Sequence, residues 1–236
     1  EAEARRINEA YLKHRETGRP FVIAKFAASL DGKIAATSGD SRWVSGPETR
    51  AWSHELRTRI DAIAVGVNTV LVDDPQLTAR PGDQPAERQP LRVVVDSRGR
   101  TPREAKALQC GAPALVATTR ASPEGWRSEI ESTGARVEVL AADEPGRVSL
   151  PALLDHLGAS DVVTLLIEGG GVLLGSFFDQ RLVDKVHAVI APMIIGGRTA
   201  PSAVAGEGAS RMADALRLRE VSAEQLGADL LVTGYV

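Results

Sequence analysis

The stretch Thr164-Leu165-Leu166-Ile167-Glu168-Gly169-Gly170-Gly171-Val172-Leu173-Leu174-Gly175-Ser176-Phe177-Phe178 constrains the fold more than any other part of the chain. Leu165, Leu166 and Ile167 form the short apolar run of a strand covered on both faces, and Glu168 falls where that strand should end. Its carboxylate is therefore expected to face a crevice. The glycines that follow permit positive backbone torsions and let the next helix present its first N–H groups to an anion at the positive end of the helix dipole. A phosphate can be held this way without a lysine. The dinucleotide fingerprint G-x-G-x-x-G does not fit, because Gly175 lies four residues after Gly171 and Val189-Ile190-Ala191-Pro192 supplies no acid for a ribose. The Gly-Lys-Ser/Thr ending of a P-loop is missing as well. A purely structural reading, in which the glycines serve tight strand-to-helix packing, stays open at this point.

A chain of 236 residues can form one large α/β domain or two small ones. Its formal net charge of −3 gives no electrostatic case for a nucleic-acid or membrane-surface partner, so any anion site must be local. The single cysteine, Cys110, allows no internal disulfide and fits a reducing cytosol. With neither an apolar segment long enough to span a bilayer nor a cleavable leader, a cytoplasmic protein is expected, and the missing initiator Met points to processing or trimming. His14, His54, His156 and His187 are scattered without metal-ligand spacing, so no metal site is expected. No nucleophile elbow or Ser/His/Asp set stands out.

Taken in order, residues 1–16 read as a helical arm ended by Gly18 and Pro20. Phe21 to Ala28 is a buried-strand candidate that contains Lys25, a charge that must be paired or face a ligand. A polar loop from Thr37 to Gly46 encloses Trp43, which reads first as a packing plug. Pro47 opens a helix to about Arg59, where Arg50, His54 and Arg57 share one side and read as a solvated face. Strands follow at 62–66, 91–95, 114–117 and 137–140, with a helical start at Asn68 and loop from Asp73. The excursion from Pro81 to Pro90 is the expected flexible point. Helices are expected at 123–132 and from a Ser149 cap to Leu157. After the glycine turn, a strand from Lys185 to Ile190 completes a strand-helix-strand unit, and 216–226 with 229–236 forms a terminal hairpin. This alternation predicts a mixed α/β sheet. Polar groups gather just after the strands, at Ser29 and Asp31, Thr69 and Asp73, Ser97 and Arg98, and Glu168, the edge at which open sheets bind ligands.

Several long motifs, in order, carry a family resemblance: Lys25-Phe26-Ala27-Ala28-Ser29-Leu30-Asp31-Gly32-Lys33, Ser41-Arg42-Trp43-Val44-Ser45, Gly66 through Arg80, Asp96-Ser97 and Glu168-Gly169-Gly170. From about Pro20 to the C-terminus the chain closely resembles the reductase domain of riboflavin biosynthesis enzymes. The resemblance implies a dihydrofolate-reductase-like, three-layer fold with a mixed, mainly parallel sheet and a C-terminal antiparallel hairpin. It implies residues 1–19 as a helical arm or linker remnant and 20–236 as the reductase domain. The implied activity is NADPH-dependent reduction of the ribosyl group of 5-amino-6-(5-phosphoribosylamino)uracil to ribityl, by a cytoplasmic homodimer.

Carried over residue by residue, the resemblance assigns NADP contacts to Ala27, Trp43, Thr69, Asp73, Ser97 and the turn Gly170, Gly171, Val172, Leu173, Leu174, Gly175 and Ser176. Substrate contacts fall to Ser41, Arg57, Leu77, Arg80 and Glu168, the arginines suiting a ribose phosphate. Trp43 thereby becomes a cofactor wall and Arg57 a phosphate clamp, while Arg50 stays a surface residue. Hydride transfer from the nicotinamide to C1′ of the opened, imine form of the sugar is implied, with Lys25 and Glu168 as candidates to orient the substrate or relay the proton. The His-x-Glu and Pro-Cys-x-x-Cys signature of the deaminase domain that precedes many bacterial reductases is not in this sequence. The resemblance thus implies either the reductase half of a longer protein, whose N-terminal deaminase domain is missing here, or a stand-alone reductase, and the pyrimidine is either the uracil or the 2,5-diaminopyrimidinone. Other readings are a pteridine or dihydrofolate reductase and a non-catalytic nucleotide sensor.

Overall fold

The computed structural model describes residues 6–109 and 111–236. The start of the expected N-terminal helix and Cys110 lie outside the described residues. The chain is an α/β protein with a mixed, mostly parallel sheet and helices, and it divides into two compact units. The first comprises the residues up to Phe21 together with Arg57–Ala79 and Pro85–Leu166; the second comprises Val22–Leu56, Arg80–Gln84 and Ile167–Val236.

The first unit is built on four parallel strands, β2 (Ala62–Gly66), β3 (Leu91–Val95), β4 (Ala114–Thr118) and β5 (Arg136–Val139), in the order β5-β4-β3-β2. Ile63, Ala64, Val93, Val94, Leu115 and Val116 are almost fully shielded, as expected for strands buried on both faces. Helices α3 (Val67–Asp73), α4 (Lys106–Gln109), α5 (Glu124–Glu131) and α6 (Leu150–Ala159) connect or follow these strands. Ser149 caps α6, its hydroxyl accepting from the Ala152 N–H, and Leu153, Leu154 and Leu157 fill the core beneath it. The arm helix α1 (Glu9–Thr17) ends at Gly18, whose φ of 71° gives a left-handed cap. It docks on α6 through the fork of Arg19 on Asp155 and a contact of His14 with the Gly158 carbonyl. A Cβ at Gly158 would lie 1.8 Å from the Gly18 oxygen, so only glycine admits this approach.

The excursion after Ala79 is anchored at its two ends. The Gln89 amide accepts from the Ala79 N–H and donates to the Ala79 and Ala86 carbonyls.

In the second unit β1 (Phe21–Ser29) pairs in parallel with β7 (Lys185–Ala191). Strand β9 (Asp229–Tyr235) runs antiparallel to β7, and β8 (Arg219–Leu226) lies antiparallel outside it, giving the order β1-β7-β9-β8. The C-terminal hairpin thus forms as expected, with its first strand starting three residues later than the apolar pattern implied. Helix α2 spans Pro47–Thr58, and α7 spans Gly171–Asp179. Strand β6 (Thr164–Glu168) leads from the first unit into the second, and only its first residue is not buried. Strand β7 takes its place beside β1. Among the described residues, no helix is long and apolar enough to cross a membrane.

Candidate active site

In the second unit the two charges singled out by sequence meet. The Lys25 ammonium lies 3.8 Å from a Glu168 carboxylate oxygen, with the two side chains only 14% and 8% exposed. Lys25, Phe26 and Ala27 are the half-buried middle of a strand otherwise buried, so β1 loosens where Lys25 and Ala27 share a face. The separation exceeds the 2.7–3.2 Å of a direct N–H···O bond, so the two groups meet as an ion pair.

Directly after Glu168 the backbone turns through Gly169 (φ 74°) and Gly170 (φ 79°), torsions that L side chains rarely adopt. Gly170 is the N-cap of α7, whose first N–H groups have no partner within the helix. Here the two readings of the glycines divide by position. Gly169 and Gly170 make the turn, whereas Gly171 and Gly175 serve packing: a Cβ on them would lie 2.3 Å from the Ser202 oxygen and 1.9 Å from the Ala205 oxygen. Leu173 and Leu174 are core residues, Val172 is half exposed, and the Ser176 hydroxyl donates to the Val172 carbonyl. Any ligand contact by Leu173, Leu174 or Gly175 therefore runs through backbone.

Trp43 is no packing plug, being 67% exposed. Its ring lies under the Arg50 guanidinium at 4.6 Å, and Arg50 in turn donates to the Ser45 carbonyl at 2.7 Å. Arg50, read from sequence as a surface residue, thus fixes the loop that carries Trp43. Ser41 is half-buried in the same loop. Arg80 donates its backbone N–H to Nδ1 of His54 at 3.3 Å, so the helix side read as a solvated face is occupied at both Arg50 and His54.

Asp31, grouped with the polar residues after strands, is consumed by structure. Its carboxylate accepts from the Ser29 hydroxyl (2.6 Å) and from the Ile195 and Gly196 N–H groups. These bonds, the Ser29 hydroxyl first, hold its pKa down at about 2. His187 pairs in register with Lys25, meets Trp52 edge-on at 5.3 Å and shares a hydrogen bond with the Thr233 hydroxyl. Burial, then the charges of Lys185 and Lys25, push its pKa down to about 4, so it is neutral beside Lys25 at physiological pH.

The first unit holds the other expected contacts. Thr69 and Asp73 lie four apart on α3 and share a face, both half-buried. Arg57, in the last turn of α2, donates to the Thr78 carbonyl at 3.0 Å. Leu77 is buried with φ 54°. Ser97 accepts from the Val148 N–H and its carbonyl accepts from the Thr119 hydroxyl, so it braces a loop. Among the described residues, no group of three or more His, Cys, Asp or Glu is placed to hold a metal ion.

The second unit of this α/β protein thus brings a buried carboxylate–ammonium pair next to a glycine turn at a helix start, and such a start suits an anion. Comparison with known proteins gives the class its family. The RibD C-terminal domain model matches residues 20–232, and the chain belongs to that family. It is 44% identical over 214 residues to the 2,5-diamino-6-ribosylamino-4(3H)-pyrimidinone 5′-phosphate reductase of Methanothermobacter thermautotrophicus, covering 91% of this chain and 97% of that one. It is 36% identical to the riboflavin biosynthesis protein RibD of Actinobacillus pleuropneumoniae, covering 96% of this chain and 59% of that protein. The structure of RibD from Acinetobacter baumannii superposes with a TM-score of 0.84 at 29% identity, over 98% of this chain and 62% of that one. The chain thus spans about three fifths of these bacterial relatives.

Proposed function

We propose that this chain reduces the ribosyl group of a 5′-phosphorylated ribosylaminopyrimidine to ribityl, with NADPH as reductant and 5-amino-6-(5-phosphoribosylamino)uracil as the expected substrate. The observation that carries the proposal is the buried Lys25–Glu168 ion pair, its carboxylate set one residue before the glycine turn. A second reading, the 2,5-diaminopyrimidinone as substrate, is supported by the 44% identity to the archaeal reductase.

The donor set suits a pyridine nucleotide. The start of α7 offers backbone N–H groups to a phosphate, and the exposed indole of Trp43 offers an aromatic wall held in place by Arg50. Ala27, Thr69, Asp73 and Ser97 complete the proposed cofactor contacts. When bound, NADPH supplies the hydride that reduces C1′. The protein's own work is positioning and proton handling. Arg57 and Arg80, with Ser41, hold the ribose phosphate, and Leu77 walls the pyrimidine. Lys25 and Glu168, shielded from bulk water, bind the sugar oxygen or its nitrogen and keep a proton at that atom. A homodimer belongs to this proposal, supported by β8, an edge strand exposed along almost its whole length.

Product analysis tests the reading. The purified chain with NADPH and the phosphoribosylaminouracil should yield a product heavier by two hydrogens, one per hydride and one per proton. NADPH binding without any such product contradicts it.

A further inference from the structure

Helix α2 begins without a side chain of its own to cap it, because Gly46 stands in the cap position before Pro47. The cap comes from the C-terminal hairpin. Asp229, the first residue of β9 and 2% exposed, accepts with Oδ2 from the Gly46 N–H at 2.7 Å and from the Thr49 hydroxyl at 2.6 Å. In a capping box the third helical residue supplies the carboxylate for that N–H; here the third residue is Thr49, which joins Gly46 as a donor to Asp229. The hairpin tip comes this close because Gly227, with φ 61°, has no side chain: a Cβ there would lie 2.4 Å from a Glu48 carboxylate oxygen. The Gly46 N–H belongs to the same peptide group as the Ser45 carbonyl, which accepts from Arg50 at 2.7 Å. That peptide is gripped on both sides, by Arg50 at its oxygen and by Asp229 at its nitrogen. Arg50 also lies over the ring of Trp43, two residues before Ser45, at 4.6 Å.

We infer that Asp229 is a positioning residue for the cofactor: it fixes the Ser45–Gly46 peptide and the first turn of α2, and through them the attitude of the Trp43 ring. The inference rests on the proposed reading of Trp43 as a wall for NADPH, and adds a residue to which the family resemblance assigned no role. All of these residues lie in the second unit. Asp229 is buried and acts only through the loop and Arg50. Without its carboxylate the peptide keeps only the Arg50 contact, and a loop held at one point turns its ring away from the cofactor.

A double-mutant cycle in steady-state kinetics separates positioning from mere stability. Trp43→Ala should raise the KM for NADPH about 30-fold, the scale of a lost ring stack. Asp229→Ala should raise it about fivefold, the worth of one ordinary hydrogen bond. In both, kcat at saturating NADPH should stay within about twofold of wild type, the pattern of a lost binding contact. On the Trp43→Ala background, Asp229→Ala should add less than about twofold, because the ring it positions is gone. Asp229→Asn keeps an oxygen for both donors and should restore the wild-type KM. A lowered Tm with an unchanged KM for NADPH in Asp229→Ala, or the same rise on both backgrounds, overturns the inference. Asp229→Glu covers the case in which the alanine variant does not fold. It keeps the charge but displaces the oxygen by one methylene, so it should raise the KM about threefold on the wild-type background alone, and an unchanged KM there overturns the inference as well. Trp43→Ala distinguishes the two levels. A raised KM in that variant with an unchanged one in Asp229→Ala sinks only the role of Asp229, and an unchanged KM in Trp43→Ala sinks the reading of Trp43 as the cofactor wall.

Discussion

Asp96 and Glu168 both stand at the C-terminal end of a buried strand, and they do opposite things with the same carboxylate. Asp96, 1% exposed after β3, accepts from the N–H groups of Arg98, Gly99, Arg100 and Thr101 and from the Thr101 hydroxyl. The chain folds back over it and uses every lone pair to shape a loop. Glu168 is followed by two glycines in the left-handed region, which carry the backbone away, and it faces the Lys25 ammonium at 3.8 Å. A carboxylate saturated by its own loop is a structural staple. One ion-paired with a buried cation and followed by a glycine turn is the carboxylate to which the proposed function gives the substrate. The residues that follow each acid decide which it becomes.

The contrast can be broken by experiment, and the largest effect is expected at Glu168. Glu168→Gln should lower kcat by about 10²–10⁴-fold, the range for a lost general acid or base, with the KM for NADPH nearly intact. Equal damage to both would mean that Glu168 is a staple too. Asp96→Ala should do the reverse, costing about 3 kcal/mol of unfolding free energy in denaturant titration, from hydrogen bonds to a charged group, with kcat preserved. A full loss of turnover in a still-folded Asp96→Ala protein would erase the distinction.

Arg50→Ala comes next in size. Losing the cation over Trp43, worth about 0.5–2 kcal/mol, should raise the KM for NADPH by roughly 3- to 30-fold while Arg50→Lys recovers part of it. An identical KM in both variants would remove Trp43 from the cofactor wall. The smallest effect concerns Asp31, a second staple. Its folded pKa of about 2 lies below the ordinary 3.8, so its stabilising contribution is complete above about pH 4 and is lost as pH falls toward about 2. Asp31→Asn should flatten the acid limb of the Tm profile in that window, and an unchanged limb would show that the loop holds without this charge.

What could be read from the sequence follows the same division. The strand, the turn and the helix around Glu168 were legible because their signals are local: an apolar run, then glycines, then an apolar helix face. The demand that Lys25 find a partner was legible too, since a buried ammonium cannot stand alone. Asp31 misled for a physical reason. A polar residue just past a strand looks the same whether its acceptors are spent on Ile195 and Gly196, far along the chain, or on a ligand. Arg50 and His54 were read as a solvated face because their partners lie on loops, Trp43 and Ser45 before the helix and Arg80 well after it. Helical periodicity reports which residues share a side, and the tertiary fold alone decides what lies opposite. The packing role of Gly171 and Gly175 was open for the same reason, because the backbone of Ser202 and Ala205 that presses on them comes from a segment without periodic pattern.

The most direct test of the account is NADPH oxidation by the purified chain, with the phosphoribosylaminouracil, the diaminopyrimidinone phosphate and dihydrofolate offered separately. Turnover with a phosphoribosylaminopyrimidine and silence with dihydrofolate is the predicted result, and which of the two pyrimidines is accepted places the step after or before deamination. Reduction of dihydrofolate, or tight NADPH binding with no turnover of any of the three, would contradict the account.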